Sequence, residues 1–229
     1  MKKGAHLLQL ITRVIVAAGT VSPAAAQDEE GGVSFDAGAD IVSNYIFRGT
    51  KFGTGPAIQP GVTFTAGNFT LGGWGSYCFG GTEAAESDLY ASYAFGFGLT
   101  VGITDYYYPD FSYFDYSAAT GSHAFELNVA YEIKGLSLAA NYVLNEAGNA
   151  LTTGGDKYFE LGYSFPSVSL FVGAGDGWNT SDGSFAVCNV GISTEKELAL
   201  SESFSLPVSG SVIFNPEREV LYVVVGVSF

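Results

Sequence analysis

Apolar and polar residues alternate one by one along most of the chain beyond residue 32. Phe125, Leu127 and Val129 fall on one face of such a segment, and Glu126 and Asn128 fall on the other. This period of two is typical of β-strands, and Gly, Pro, Asn and Asp separate the alternating segments. The pattern predicts strands over residues 33–48, 57–66, 69–79, 86–97, 99–108, 123–133, 136–144, 157–165, 168–174, 185–194, 204–214 and 219–229.

The connections between these segments are of two kinds. Every second one is tight: Gly67-Asn68, Gly98, Lys134-Gly135 and Pro166-Ser167. The others are mostly longer and polar, over residues 49–56, 80–85, 109–122, 145–156 and 175–184, while residues 195–203 and 215–218 depart from the rule. Short turns at one end and long loops at the other are typical of outer-membrane barrels. Alternation alone would also fit a soluble β-sandwich.

An even number of strands lets such a sheet close without free edges. We therefore expect an all-β fold, a single antiparallel up-and-down transmembrane β-barrel of about 12 strands. We expect this barrel to occupy residues 33–229, after a short polar segment at 27–32.

The first 26 residues have the features of an export signal. Lys2 and Lys3 precede a short apolar run, and Ala24-Ala25-Ala26 offers a small-residue cleavage site. The run is too short to span a bilayer as a helix. We expect residues 1–26 to be a cleaved signal peptide and the mature chain to lie in the outer membrane of a Gram-negative cell.

The net charge of the chain restricts the kinds of partner that it can bind. The whole chain has 9 basic and 23 acidic residues, a formal charge of −14. Without the three bases of the signal, 6 bases face 23 acids, a charge of −17. So acidic a chain is not expected to bind nucleic acid.

Several short stretches resemble the TorF family of porin-like proteins. They are Ser43–Gly49, Pro56–Gly61 and Gly73–Ser76, followed by Glu86, Asp88, Tyr90 and Tyr93 and by Tyr107–Pro109. The likeness covers residues 33–110 best. It implies an outer-membrane barrel that forms a channel, and it implies no particular solute.

The end of the chain resembles the terminal strand by which outer-membrane barrels are recognised for insertion. Phe229 is the last residue, and apolar residues precede it at every second position: Val227, Val225, Val223 and Leu221. A final core strand would look the same. As an insertion signal, these residues predict the barrel-assembly machinery and outer-membrane lipid as partners.

The charged residues on the polar faces are candidates for the lining of the lumen. Strand parity selects Asp36, Asp40, Arg48, Glu86, Asp88, Glu126, Glu132 and Glu160 as inward-facing, and Phe47, Tyr131 and Tyr142 as lipid-facing. The predominance of acids indicates a channel for passive diffusion of small hydrophilic solutes or ions, biased toward cations. A filled structural or surface-interaction barrel without conductance is the alternative.

An aromatic loop follows the fifth predicted strand. It contains Tyr107, Tyr108, Phe111, Tyr113 and Tyr116. Such a loop could stack flat solutes at the pore mouth, or it could be part of the interfacial girdle of a barrel.

Catalytic and metal sites are poorly represented. His123 is the one histidine beyond the signal, and no Gly-x-Ser-x-Gly motif accompanies it. We expect no enzymatic activity, no cofactor and no metal, although Asp176, Asn179 and Asp182 leave a Ca²⁺ loop open. Parity places Cys78 inside and Cys188 outside, so no disulfide is expected.

Overall fold

The protein is a closed β-barrel in the computed structural model, which describes residues 32–81, 85–201 and 204–229. The predicted signal peptide at residues 1–26 and residues 27–31 lie outside the described residues. The strands are β1 Val33–Val42, β2 Tyr45–Phe47, β3 Thr50–Phe52, β4 Ala57–Ala66, β5 Phe69–Cys78, β6 Glu86–Ala94, β7 Leu99–Tyr107, β8 His123–Ile133, β9 Leu136–Val143, β10 Lys157–Ser164, β11 Ser169–Gly175, β12 Ala186–Ala199, β13 Ser205–Asn215 and β14 Val220–Ser228.

Twelve of these strands form the wall, and β2 and β3 pair separately with each other. Each wall strand pairs antiparallel with its neighbours in the chain, so the sheet follows an up-and-down path. The first and last strands close the ring, with Asp40 opposite Ser228 and Val42 opposite Gly226. The predicted closed antiparallel barrel of twelve strands is confirmed.

The prediction that the first strand reaches Arg48 is wrong. β1 ends at Val42, where its register partner is Ala57 at the start of β4. The chain between them turns into the barrel and forms the hairpin of β2 and β3, which we call the inner hairpin (residues 45–52). Its tip is tight because Arg48 and Gly49 both have positive φ angles, 48° and 79°, as two-residue β-hairpin turns require.

This inward turn also overturns the lipid-facing position of Phe47. Its side chain is only 8% exposed and belongs to an apolar cluster inside the barrel. Tyr142, by contrast, is 44% exposed, and Tyr131 shares the alternating face of Leu127.

Two further differences concern β12. The strand continues to Ala199, so most of the link predicted at 195–203 is strand. A register shift opposite Gly173 and Ala174 adds a residue to β12 and changes its parity, as β-bulges do. Cys188 is therefore completely buried rather than outward-facing.

The outer surface of the wall is largely apolar. Many large side chains on it are 39–62% exposed, among them Phe64, Leu71, Leu89, Ile103, Leu127, Leu161, Val212 and Leu221. Residues that alternate with them carry polar side chains inside, such as Thr104 and Asn141. Within the described ranges, no helix is long and apolar enough to cross a membrane.

Candidate functional site

The inner hairpin reaches from one side of the barrel to the other. At its base, the Tyr45 hydroxyl donates a hydrogen bond to Glu86 Oε1 on β6 over 3.0 Å. At its tip, the Gly49 carbonyl accepts a hydrogen bond of 3.0 Å from Asn215 Nδ2 on β13. A Cβ atom at Gly49 would collide with the Cys188 carbonyl. The hairpin is thus attached to opposite walls and occupies the interior between them.

Arg48 connects the tip of the hairpin to a third part of the wall. Its two terminal nitrogens donate to the two carboxylate oxygens of Glu126 on β8, over 2.7 and 2.8 Å. The guanidinium also lies over the rings of Phe47 and Tyr158, 4.6 and 4.5 Å from their centroids. Arg48 and Glu126 are 2% and 1% exposed. Such a paired, bidentate and stacked arrangement suits arginine better than lysine.

A hydrogen-bond network surrounds this ion pair. Glu126 also accepts from the Tyr106 hydroxyl at 3.0 Å and from Asn128 Nδ2 at 2.8 Å. Asn128 continues the network to Thr104 and Asn141 on the neighbouring strands. The Glu126 carboxylate is therefore well provided with donors, which buried charges need.

Aromatic side chains fill the space around the hairpin. Phe47 packs edge-to-face on Tyr106 and Trp178, with centroids 5.8 and 6.2 Å apart. Tyr45 packs on Trp74 at 5.6 Å. These contacts form a small hydrophobic core within the end of the barrel that carries the longer loops, which we call the loop end. The hairpin and this core therefore lie across the interior at the loop end.

The acids predicted to line the lumen differ in how deeply they are buried. Glu86 and Asp88 lie beside Glu126 in the buried layer at the hairpin, 2% and 4% exposed. Glu160 accepts hydrogen bonds from the Tyr158 hydroxyl and Asn189 Nδ2, at 2.5 and 3.0 Å. The other predicted acids, Asp36, Asp40 and Glu132, are more exposed. Asp36 and Glu132 lie close to the termini of β1 and β8 at the opposite, turn end, whereas Asp40 lies two residues before the loop-end terminus of β1.

The aromatic loop does not gather around the lumen. Tyr107 and Tyr116 stack on the two sides of the His123 ring, with centroids 4.8 and 4.5 Å away, and Tyr113 meets its edge at 4.9 Å. Tyr108 packs instead against the inner core, and Phe111 is 42% exposed. Most of the predicted aromatic loop thus folds over the outer wall around one histidine.

Both nitrogens of His123 are occupied. Nδ1 lies 2.9 Å from Asp105 Oδ1, and Nε2 lies 2.5 Å from the Tyr113 carbonyl oxygen. A catalytic histidine would need a nucleophile at the second nitrogen, and here a main-chain carbonyl lies there. The histidine anchors the loop to the wall.

Polar contacts also stabilise the loops themselves. Asp115 accepts hydrogen bonds from the main chain and hydroxyl of Ser117 and from the Thr120 hydroxyl. These donors hold the pKa of Asp115 below its usual range. In the 176–182 loop, the Asp176 carboxylate bonds both nitrogens of Lys157. Across the described ranges, no three acidic, histidine or cysteine side chains converge as a metal site.

The last strand presents the predicted insertion signal outward. Leu221, Val223, Val225 and Phe229 are 52–67% exposed on its outer face, and Val227 is partly exposed. Phe229 also exchanges two main-chain hydrogen bonds with Ala39, at 3.0 and 3.3 Å. The terminal residue therefore takes part in closing the ring.

Sequence reasoning missed most of the residues that hold the hairpin. Tyr106, Tyr158 and Trp178 appeared only as strand or loop residues, and Arg48 as a wall residue. The sequence Phe47-Arg48-Gly49-Thr50 carried a usable signal, because glycine at the second turn position is typical of a tight hairpin.

Comparisons with known proteins assign the chain to a family. No curated protein matches the chain. A porin of Rh. blastica, solved as a triple mutant, shares 11% identity over 86% of this chain and 99% of its own, with a TM-score of 0.40. The outer membrane phospholipase of Salmonella typhi, a dimer with bound calcium, shares 11% identity over 83% and 88%, with a TM-score of 0.38. OprD from Pseudomonas aeruginosa shares 13% over 89% and 66%, with a TM-score of 0.32.

These TM-scores are too low for the functions of those proteins to be carried over to this chain. A family model matches more directly: it covers residues 26–206, from the predicted cleavage site to β13. The family carries no assigned substrate, and the resemblance to TorF remains a prediction. The chain belongs to Gcw_chp, a family described as bacterial protein of unknown function.

Proposed function

We propose that this protein is an outer-membrane channel for small hydrophilic solutes or ions, with the inner hairpin as its narrowest part. The closed sheet, apolar outside and polar inside, supports a membrane location, because a barrel in lipid must satisfy all its backbone hydrogen bonds internally. The export signal predicted at residues 1–26 and the terminal Phe229 support the outer membrane. No catalytic role is part of this proposal.

The observation that carries the proposal is the Arg48–Glu126 pair inside the barrel. It joins the inner hairpin to the wall in the same layer that the aromatic core closes. Passage through the barrel must therefore go around the hairpin or wait until it moves. We infer a small conductance for the wild-type protein, controlled by the position of the hairpin.

Cation preference is the finer part of the proposal. Asp36 and Glu132 lie toward the turn end, away from the inner hairpin. Fixed carboxylates near a low-dielectric wall raise the local concentration of cations. Glu126 contributes little to this effect, because Arg48 neutralises it.

The test is conductance and reversal potential of the refolded protein in a planar bilayer under a salt gradient. We expect small, cation-preferring currents in dilute salt. The preference should fade near 1 M salt, where the Debye length falls to about 3 Å. The double variant Asp36→Asn/Glu132→Gln should move the reversal potential toward zero, whereas Glu219→Gln, at an exposed turn of the loop end, should leave it unchanged.

A filled barrel is the second candidate, because the hairpin and its aromatic core occupy the interior. Complete absence of current in the wild type, with normal folding, would favour it. Anion preference, or a reversal potential indifferent to the double variant, would reject the cation bias while leaving a channel.

A further inference from the structure

A pair of buried carboxylates beside the inner hairpin has no part in the Arg48–Glu126 contact. Glu86 and Asp88 are two residues apart on β6 and therefore point to the same side, into the barrel. They are 2% and 4% exposed, and their positions two residues apart on one face of a strand bring the two carboxylates close together. Two carboxylates so close and so dry repel each other unless something positive accompanies them.

One atom of this pair lacks a partner. In the part of the chain that the structure describes, Oδ1 of Asp88 is buried and accepts no hydrogen bond. A buried acceptor without a partner is costly and is rare in native structures. Asp88 is a buried acid. We therefore expect the missing partner of this atom to carry a positive charge.

No base of the described chain forms a salt bridge with Glu86 or Asp88, although the charge of Arg48 acts on Glu86 from a distance. Arg48 is bound to Glu126, and Lys157 and Arg218 lie beside Asp176 and Glu217. The remaining lysines, Lys51, Lys134 and Lys196, are exposed. Compensation for Glu86 and Asp88 must therefore come from a bound cation or from a proton.

The donor set favours a hard cation. Two carboxylates and the Tyr45 hydroxyl, which lies 3.0 Å from Glu86 Oε1, present only oxygen atoms, as Ca²⁺ and Mg²⁺ prefer. We propose that Glu86 and Asp88, with Tyr45, form a binding site for a divalent cation such as Ca²⁺. Since Tyr45 belongs to the inner hairpin, an occupied site would hold the hairpin against β6.

Terbium, a luminescent substitute for Ca²⁺, offers a direct test on the full mature chain in detergent. The chain has two tryptophans. Trp74 is the register partner of Asp88 and packs on Tyr45, so it should sensitise bound terbium. We expect saturable emission that Ca²⁺ competes away, and a rise in the unfolding midpoint with Ca²⁺.

The variants separate this site from other acids. Glu86→Gln and Asp88→Asn should weaken terbium binding by about tenfold or more, at least the effect of losing a supporting residue around a metal. Asp182→Asn removes an exposed acid from the loop of the other tryptophan, Trp178, and should have no effect. Resistance of the barrel to unfolding in unheated detergent gels establishes that each variant is folded.

Binding that is lost in Asp182→Asn, or unchanged in Asp88→Asn, would overturn the proposal. So would the absence of saturable binding by a folded wild-type protein, which would assign a shared proton to the pair. These measurements do not depend on conductance, so they distinguish failure of the cation site from failure of the channel.

Discussion

At the scale of single residues, the most consequential contact is the one between Arg48 and Glu126. Both side chains are almost completely removed from solvent, and bringing two charges out of water offsets much of their attraction. Bidentate geometry and the additional donors Tyr106 and Asn128 reduce that cost. The pair therefore serves to fix the position of the hairpin tip rather than to add much net stability.

We predict strong coupling between these two residues. Arg48→Met should lower the free energy of unfolding by about 3–5 kcal/mol, because Glu126 would remain buried without its counter-ion. Glu126→Met should cost a similar amount for the converse reason. The double variant should be much less destabilised than the two losses added together.

Urea unfolding of the refolded barrel, followed by tryptophan fluorescence, measures all four members of this cycle. The exposed substitution Lys51→Met, on the same hairpin, is the matched control and should be nearly neutral. Simple additivity of the two single variants would show that the pair is not energetically coupled.

At the scale of elements, the inner hairpin is separate from the wall of the barrel. β2 and β3 pair only with each other among the strands described, while Val42 and Ala57 on either side of them are already register partners. A short turn could join these wall strands directly. The hairpin is thus an insertion into a barrel that is complete without it.

Replacing residues 44–55 by a short Gly-Ser turn should therefore leave a folded barrel with a larger conductance. The expected increase arises because the aromatic core and Arg48 would no longer cross the interior. Single-channel recording measures it, and the same recording on a protein shortened at the exposed residues 181–184 is the control. Unchanged current after removal of the hairpin would mean that another segment closes the interior.

The wall and the hairpin differ in how far the sequence reveals them. Alternation over segments such as 123–133 predicts wall strands well, because one face must be apolar and the other polar. The same alternation continues through Tyr45 and Phe47, where the apolar side chains contact Trp74 and Tyr106 rather than lipid. A period of two shows only that every second residue is apolar. It does not show whether those side chains contact lipid or the interior of the barrel. Pairing of Arg48 with Glu126, 78 residues away, has no local signature either.

At the scale of the whole molecule, the barrel closes between β1 and β14, the neighbouring wall strands with the fewest register pairs. β1 and β14 share three register pairs, Asp40 to Val42 with Gly226 to Ser228, and the hydrogen bonds between Ala39 and Phe229 extend them. The same terminal residue that resembles an insertion signal is therefore a structural part of the seam. The two roles can be separated by experiment.

Deleting Phe229 removes both its side chain and its main-chain bonds, whereas Phe229→Ser keeps the bonds. If the aromatic side chain is the insertion signal, both variants should fail to reach the outer membrane in cells, because exposed strands of an unassembled barrel aggregate. Phe229→Ser should nevertheless refold from urea into detergent almost as well as the wild type. Membrane fractionation and refolding yield measure the two effects, with Val212→Ser, an outward-facing residue of the neighbouring strand β13, as the control.

Normal outer-membrane levels of Phe229→Ser would contradict the role of the side chain as a signal. Poor refolding of this variant in detergent would instead assign its effect to closure of the ring.

The separate pairing of the inner hairpin has a consequence for how such proteins can diverge. Substitutions within residues 45–52 leave every hydrogen bond of the wall in place, and substitutions on the outer wall leave the contacts of Arg48 in place. On the proposed channel function, natural variation at hairpin positions other than Arg48 and Gly49 can therefore change what crosses the barrel while the wall stays intact. Those positions are where related proteins could acquire different permeabilities by few mutations.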